Sequence, residues 1–249
     1  MNVLVTGATA GFGLAIARRF IQEGARVIAT GRRTELLEKL RAELGERLLP
    51  VTLDVTEREA MAKVLGTLPA DFAEVDVLVN NAGLALGLEA AQSAHLDDWE
   101  VMVDTNVKGV LYCTHAVLPG MVARNRGHII NMGSVAADYP YPGGNVYGAT
   151  KAFVQQFSLN LRADLLGTAV RVTDIEPGLV GGTEFSNIRF KGDAARAAAP
   201  YANTQPLTPE DIADAVHWVA SRPAHVNINV MSLMPVAQAF GPLAVKRQG

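Results

Sequence analysis

Val3-Leu4-Val5-Thr6-Gly7-Ala8-Thr9-Ala10-Gly11-Phe12-Gly13 is the stretch on which the fold turns. An apolar triplet runs into a glycine-spaced turn and then into an amphipathic segment over 13–23, closed by Gly24. Glycines let a backbone turn sharply and approach an anion closely, and a helix that starts there presents free N–H groups and a positive dipole. The stretch reads as strand, phosphate cradle and helix, with Gly7, Thr9, Ala10, Gly11, Phe12 and Gly13 forming a dinucleotide site. Three residues separate Gly7 from Gly11, which departs from the usual G-x-G-x-x-G spacing.

Outward from this turn the same alternation repeats. Short apolar runs at 26–30, 48–53, 75–79, 128–132 and 170–175 read as strands, with a poorly patterned one at 226–231. Helical patterns follow at 35–44, at 97–119 and at 147–166. Thr56-Glu57-Arg58-Glu59 reads as a capping box opening a helix through 65, and Thr208-Pro209-Glu210-Asp211 starts another. Strands that are apolar throughout, each followed by a helix, form a parallel sheet covered on both faces. The expectation is an α/β chain with one Rossmann-type doubly wound domain over 1–249. Residues 179–205 are Gly- and Ala-rich and aperiodic, as a substrate lid is, and 235–249 form a C-terminal tail.

The bulk properties exclude several classes. With 249 residues, 49% hydrophobic and 19% charged, the chain can bury a large core. A formal net charge of -3 leaves no basic footprint for nucleic acid. No apolar run is long enough for a membrane span, and the chain enters a strand pattern without a charged leader. The one cysteine, Cys113, reads as a packed core thiol and suits a reducing compartment, so a cytoplasmic protein is expected. His95, His115, His128, His217 and His225 lack metal-ligand spacing and read as surface or satisfied structural residues, with no metal site.

The second strand selects the cofactor. It ends Ala29-Thr30-Gly31-Arg32-Arg33, with two guanidiniums where an NAD site places a carboxylate for the ribose hydroxyls. Arginine binds a 2′-phosphate in a charge-assisted, bidentate way. NADP is therefore expected, with Arg32 as the first candidate and Arg33 the second.

Tyr147 and Lys151 stand four apart in a helical stretch, which places a phenol and an ammonium on one face. A free tyrosine titrates near ~10, and an adjacent cation favours its phenolate. The spacing predicts a tyrosine usable as acid and base near neutrality. Ser134 follows the fifth strand at its C-terminal end, the edge where open α/β sheets bind ligands. Its hydroxyl can hold a substrate oxygen and stabilise developing charge.

Together these residues resemble the short-chain dehydrogenase/reductase family over almost the whole chain. The glycine turn is similar to the family's T-G-x-x-x-G-x-G, Asn80-Asn81-Ala82-Gly83 to its N-N-A-G, and Pro177-Gly178 follows the sixth strand as in the family. Asn106, Ser134, Tyr147 and Lys151 fall on its catalytic tetrad. The resemblance implies hydride transfer to or from C4 of the nicotinamide, with Lys151 also bonding the ribose and Asn106 holding a proton-relay water. It implies cofactor contacts from Asp54 with Val55, from Asn81, Ala82 and Gly83, from Pro177 and Gly178, and from Val180 and Thr183 at the carboxamide. It further implies a homotetramer built through helices 97–119 and 147–166; the apolar tail around Pro235 to Val245 is itself expected to add to a subunit contact. Thr6 to Gly13, Ile28 to Arg33 and Ile175-Glu176-Pro177-Gly178-Leu179-Val180-Gly181-Gly182-Thr183-Glu184-Phe185-Ser186 are similar to the bacterial NADP-dependent 3-hydroxy acid dehydrogenases of this family. That subgroup is also described as serine or L-allo-threonine dehydrogenase and malonic semialdehyde reductase. One departure is the last strand, where Asn227 to Pro235 replaces the family's usual Asp-Gly-Gly ending.

A small hydroxy acid needs a partner for its carboxylate. Arg189 and Lys191 lie in the lid, and Arg189 is the candidate, with Tyr141 and Asn145 as further pocket residues. The rival within the scaffold is a 3-oxoacyl carrier-protein reductase or another carbonyl reductase. The rival outside enzymes is an NADP-sensing protein without turnover, which the presence of both Tyr147 and Lys151 disfavours.

Overall fold

The computed structural model describes residues 1–241. In chain order its regular elements are β1 (Asn2–Val5), α1 (Gly11–Gln22), β2 (Arg26–Gly31), α2 (Thr34–Leu44), β3 (Leu48–Thr52), α3 (Ala60–Leu65), β4 (Val77–Asn80), α4 (Leu96–Val103), α5 (Gly109–Ala123), β5 (Gly127–Met132), α6 (Asn145–Asp164), β6 (Val170–Pro177), α7 (Phe185–Arg189), α8 (Ala194–Ala198), α9 (Pro209–Ala220) and β7 (Val230–Leu233). The strands form one parallel sheet in the order β3-β2-β1-β4-β5-β6-β7. The order reverses between β1 and β4, and the crevice outside their carboxyl ends is where such sheets bind ligands.

Apolar side chains on both faces of each strand explain the layering. Val3, Val5, Val27, Ala29, Val77 and Val79 pack with Ile16 and Phe20 of α1 and with Ile212 and Val216 of α9. Their intervening neighbours Leu4, Ile28, Leu78 and Ile129 pack on the other side with Met61, Val117, Met121 and Leu161. A period of two thus serves two cores, because successive strand residues point to opposite faces. Each fully buried Val, Leu, Ile or Phe contributes about 1.5–3 kcal/mol. At the far end of the sheet Arg171 of β6 donates to the Val219, Ala220 and Arg222 carbonyls, tying β6 to the C-terminal end of α9.

The structure corrects four local expectations. The segment from Thr56 does not open a helix: the Thr56 N–H and hydroxyl both donate to Asp54 Oδ1, and α3 begins at Ala60. The long helix expected over 97–119 is interrupted by a π-helical turn at Asp104–Lys108, which inserts between α4 and α5. The last strand forms later than expected, at Val230–Leu233, because Asn227 instead pairs its side-chain amide with the Val172 backbone. The lid is not uniformly irregular: α7 and α8 lie within it. By contrast, α9 does start after Thr208 as expected, and there Thr208 and Asp211 form a capping box.

His128 is a partial exception to the reading of the histidines. It is buried in β5 with Nε2 on Thr173 Oγ1 at 2.8 Å, while Nδ1 has no partner. Burial, and next the Arg171 charge, lower its pKa to about 3. The folded imidazole therefore stays neutral where the unfolded one, titrating near ~6.5, takes up a proton. The unfolded state binds more protons in that window, so this residue contributes a loss of stability as pH falls from ~6.5 towards 3. Urea unfolding at neutral pH and at pH ~4.5 is expected to show a smaller acid loss in His128→Gln than in the wild type. Equal losses would remove His128 from the account.

Candidate active site

The glycine turn is a knot between β1 and β4. Asn81 Nδ2 donates to the Thr6 carbonyl at 2.8 Å and the Gly7 carbonyl at 3.2 Å. The Thr6 hydroxyl accepts from the Asn81 and Ala82 N–H groups at 2.9 and 3.0 Å. Gly7 has φ 67°, the left-handed region that favours glycine. Gly13 is needed for closeness: a Cβ there would overlap the Gly7 carbonyl and meet Asn81 Nδ2 at 2.6 Å. No side chain caps α1, so its first N–H groups face the crevice unspent.

A cavity of about 1160 Å³ runs from this turn to Tyr147. Of the sequence-expected cofactor residues, all but Gly13 line it, including Asp54, Val55, Pro177, Gly178, Val180 and Thr183. Gly13 instead lets the turn close behind them. Backbone donors at a helix start, two arginines at one end and the acid/base residues at the other fit a dinucleotide phosphate carrying a 2′-phosphate.

The two arginines differ. Arg32 is 72% exposed in its side chain and only 3.9 Å from Asp54. Arg33 is fixed: it donates to Thr9 Oγ1 at 2.9 and 3.2 Å and to both Glu184 carboxylate oxygens at 3.0 and 3.2 Å. Arg33 is thus the better-ordered of the two cations. Glu184 was missed in the sequence, although its charge beside Thr183 was the available signal.

At the other end Tyr147 is buried on α6, with the Phe185 ring at 5.8 Å and Lys151 Nζ at 5.8 Å from its ring centroid. Lys151 Nζ donates to the Met132 carbonyl at 2.7 Å. Burial dominates both groups. It pushes Tyr147 up to about 12, against a downward pull from the Ser134 hydrogen bond and from Arg189. It pushes Lys151 down to about 8, with Asp174 opposing that fall. Against the expectation that Lys151 brings the phenol down, burial is the larger influence on Tyr147 here, beside an ammonium committed to a carbonyl. Ser134, 8% exposed, accepts from the Ala136 N–H at 3.1 Å and lines the cavity.

Asn106 sits in the π-helical turn, almost fully buried. Its side chain does not reach the cavity: Oδ1 accepts from Leu84 N at 2.9 Å, and Nδ2 donates to Leu84 O at 2.8 Å and Thr150 Oγ1 at 3.1 Å. With its amide so engaged, its side chain braces the loop after β4 at Leu84, beside Gly83. Asn145 is also corrected. It is exposed, bonds the Glu89 carbonyl and its own neighbour Val146, and does not line the cavity.

Arg189 does reach the site. Its Nε donates to Gly87 O at 3.0 Å and its Nη2 to Tyr141 Oη at 2.9 Å. Its guanidinium carbon lies 5.5 Å from the Tyr141 ring centroid and 5.6 Å from that of Tyr147. Lys191 is turned away into an ion pair with Asp98 at 2.8 Å. The tail also enters: Phe240 packs on Tyr139 at 4.8 Å, and Gln238 accepts from Leu179 N at 2.7 Å. Gln238, Ala239, Phe240 and Gly241 therefore wall the cavity; the tail beyond residue 241 lies outside the described residues. Among the described residues no group of His, Cys, Asp and Glu could hold a metal ion.

The family model for short chain dehydrogenases matches residues 1–193. The chain is 66% identical over 247 residues to the NADP-dependent 3-hydroxy acid dehydrogenase YdfG of Salmonella typhi, covering 99% of this chain and all of the relative. It is 53% identical over 247 residues to a serine 3-dehydrogenase of Rhizobium radiobacter, covering 99% and 98%. Among solved structures, the closed form of a serine dehydrogenase complexed with NADP+ is 65% identical, with full coverage of both chains and a TM-score of 0.98. The chain belongs to the short-chain dehydrogenase family.

Proposed function

We propose that the protein transfers a hydride between NADP and a small 3-hydroxy acid such as L-serine, L-allo-threonine or 3-hydroxyisobutyrate, or reduces malonic semialdehyde. The observation that carries the substrate class is Arg189, held beside Tyr147 on a short lid helix. Only two of its five N–H donors are used by Gly87 and Tyr141, so three remain for a carboxylate. An acid bound there by its carboxylate places a hydroxyl a short carbon chain away at Tyr147 and Ser134. The names of the curated relatives support the same class.

NADP supplies the hydride donor or acceptor. Tyr147, with its pKa raised by burial, is a protonated donor at neutral pH, which suits carbonyl reduction. Ser134 holds the substrate oxygen and stabilises charge that develops on it. Lys151 supplies the positive charge beneath the phenol and carries a pKa near the working range. Asn106 keeps the Leu84 backbone and the adjoining α6 turn in register for both.

Arg33 is the residue proposed to bind the 2′-phosphate, with Arg32 flanking it. Fluorescence titration of the binary complex is expected to give about a tenfold or larger rise in Kd for NADP in Arg33→Ala, a smaller one in Arg32→Ala, and little change for NAD. A larger loss in Arg32→Ala would restore the order read from sequence.

Arg189→Ala is expected to raise KM for L-serine by about ten- to hundredfold, the loss of one charge-assisted carboxylate contact, while leaving 2-propanol oxidation nearly unchanged. Equal losses for the acid and the neutral alcohol would exclude Arg189 as the carboxylate partner.

The assembly is proposed to be a homotetramer built on the outer faces of α5 and α6. α5 is apolar around most of its circumference, with Leu111, Ala116 and Leu118 only half-buried, and α6 exposes Leu159 beside its stacked Phe153 and Phe157 pair. A cytoplasmic location fits the single, buried free cysteine, and no helix among the described residues is long and apolar enough to cross a membrane. Light scattering after size exclusion is expected to report four chains per particle; a one-chain mass would reject the assembly.

A further inference from the structure

Two carboxyl groups in β6 are unused by the reaction described above. Asp174 is fully buried and Glu176 is 1% exposed. Standing two apart on one strand, they point to the same face. Among the described residues no side-chain donor reaches either oxygen of Asp174, and the Gly133 backbone N–H is the donor close to it. The space above it is closed by Gly133, where a Cβ would overlap Oδ1 and lie 2.8 Å from Oδ2. Glu176 accepts from Gln155 Nε2 at 2.9 Å, and the same amide reaches Asp138 at 2.9 Å. Gly133 lies between Ser134, which faces the cavity, and Met132, whose carbonyl holds Lys151 Nζ. The pair therefore sits directly behind the proposed acid/base site.

We propose that Asp174 and Glu176 are positioning residues, a carboxyl pair that holds one proton between its two members and whose remaining negative charge keeps Lys151 cationic. Two buried carboxylates side by side on one strand face do not both ionise readily, and a proton between them supplies the side-chain partner that Asp174 lacks. The charges around them agree. Burial and then the Glu176 charge push Asp174 far above the usual carboxylate range, and burial and Asp138 raise Glu176. Lys151 from α6 is the facing cation; β7, on the other side, contributes Val230 to Leu233 and no ionisable side chain. Among the described residues Asp174 is the acidic group whose charge opposes the neutralisation of Lys151 by burial.

This inference rests on Tyr147 and Lys151 being the acid/base pair. The test is the pH dependence of kcat/KM for malonic semialdehyde reduction by NADPH, where the donor phenol outlasts Lys151 on the alkaline side. Either single variant leaves one carboxyl, which ionises alone and keeps the pocket's single negative charge, whereas the double variant removes that charge. The Asp174→Asn/Glu176→Gln double variant is therefore expected to move the alkaline limb to lower pH by about one unit, and each single variant to move it much less. A purely structural role would lower kcat and Tm without moving the limb. Infrared spectra are expected to show a buried protonated-carboxyl band in the wild type at neutral pH that the double variant lacks. An unmoved limb in the folded double variant, or no such band in the wild type, overturns the proposal. If the double variant does not fold, the wild-type spectrum and loss of the band in Glu176→Gln, whose remaining carboxyl ionises, carry the test. Tyr147→Phe separates the two readings: it should abolish reduction while NADPH still binds. Retained reduction would reject the acid/base assignment itself, whereas unmoved limbs beside an inactive Tyr147→Phe would reject the carboxyl pair alone.

Discussion

The rest of the structure depends on how closely the loop after β4 packs into the turn after β1. Asn81 bridges the Thr6 and Gly7 carbonyls, Thr6 answers with its hydroxyl, and Gly13 leaves the gap through which they meet. That contact falls where the strand order reverses, so the same hydrogen bonds that join two halves of the sheet also shape the crevice between them. A side chain at Gly13 would push the first turn of α1 away from β4, and overpacking of that kind typically costs about 1–3 kcal/mol. The free N–H groups of α1 would be displaced with it. Stability and anion binding are therefore one constraint at this place.

Much of the architecture was legible in the sequence because the apolar strands and glycine punctuation were unambiguous. What failed locally failed for tertiary reasons. Thr56 followed by an acid three residues on is a sound capping pattern, but Asp54 captures the threonine first. The π-helical turn has no sequence period of its own, since it inserts one residue into a helix whose flanks remain regular. The site residues Tyr147, Lys151, Ser134 and Arg189 were visible because chemistry restricts which side chains can occupy them. Arg33 and Glu184 stand 151 positions apart, and only the folded chain shows that they meet. Asp174 and Glu176 did carry a signal, two acids in an otherwise apolar strand, but their position behind Gly133 belongs to the sheet register.

Burial sets the electrostatics of the site more than proximity does. The four-residue spacing of Tyr147 and Lys151 brings them to one helix face, yet the phenol rises and the ammonium falls. Both shifts disfavour charge, and both follow from the removal of water. A site of this kind holds its proton donor loaded and keeps its cation near the point of losing charge. The groups that decide its working state are then the nearby fixed charges, Arg189 on the lid side and the β6 carboxyls behind.

The lid is fastened at two points with different consequences. Near the glycine turn it is held by Arg33 and Glu184, whose side chains are 42% and 50% exposed. Exposed ion pairs contribute about 0–1 kcal/mol, so this fastening opens at little expense and a phosphate can compete for the same guanidinium. Near Tyr147 it is held by Arg189 against Gly87 and Tyr141, where neutral acceptors take two donors of a cation already close to two aromatic rings. The proposed substrate carboxylate would add the opposite charge that this end lacks. On the proposed roles a cofactor phosphate competes with one fastening and a substrate carboxylate adds to the other, so the two ligands act with opposite sign on how firmly residues 183–201 cover the reacting groups.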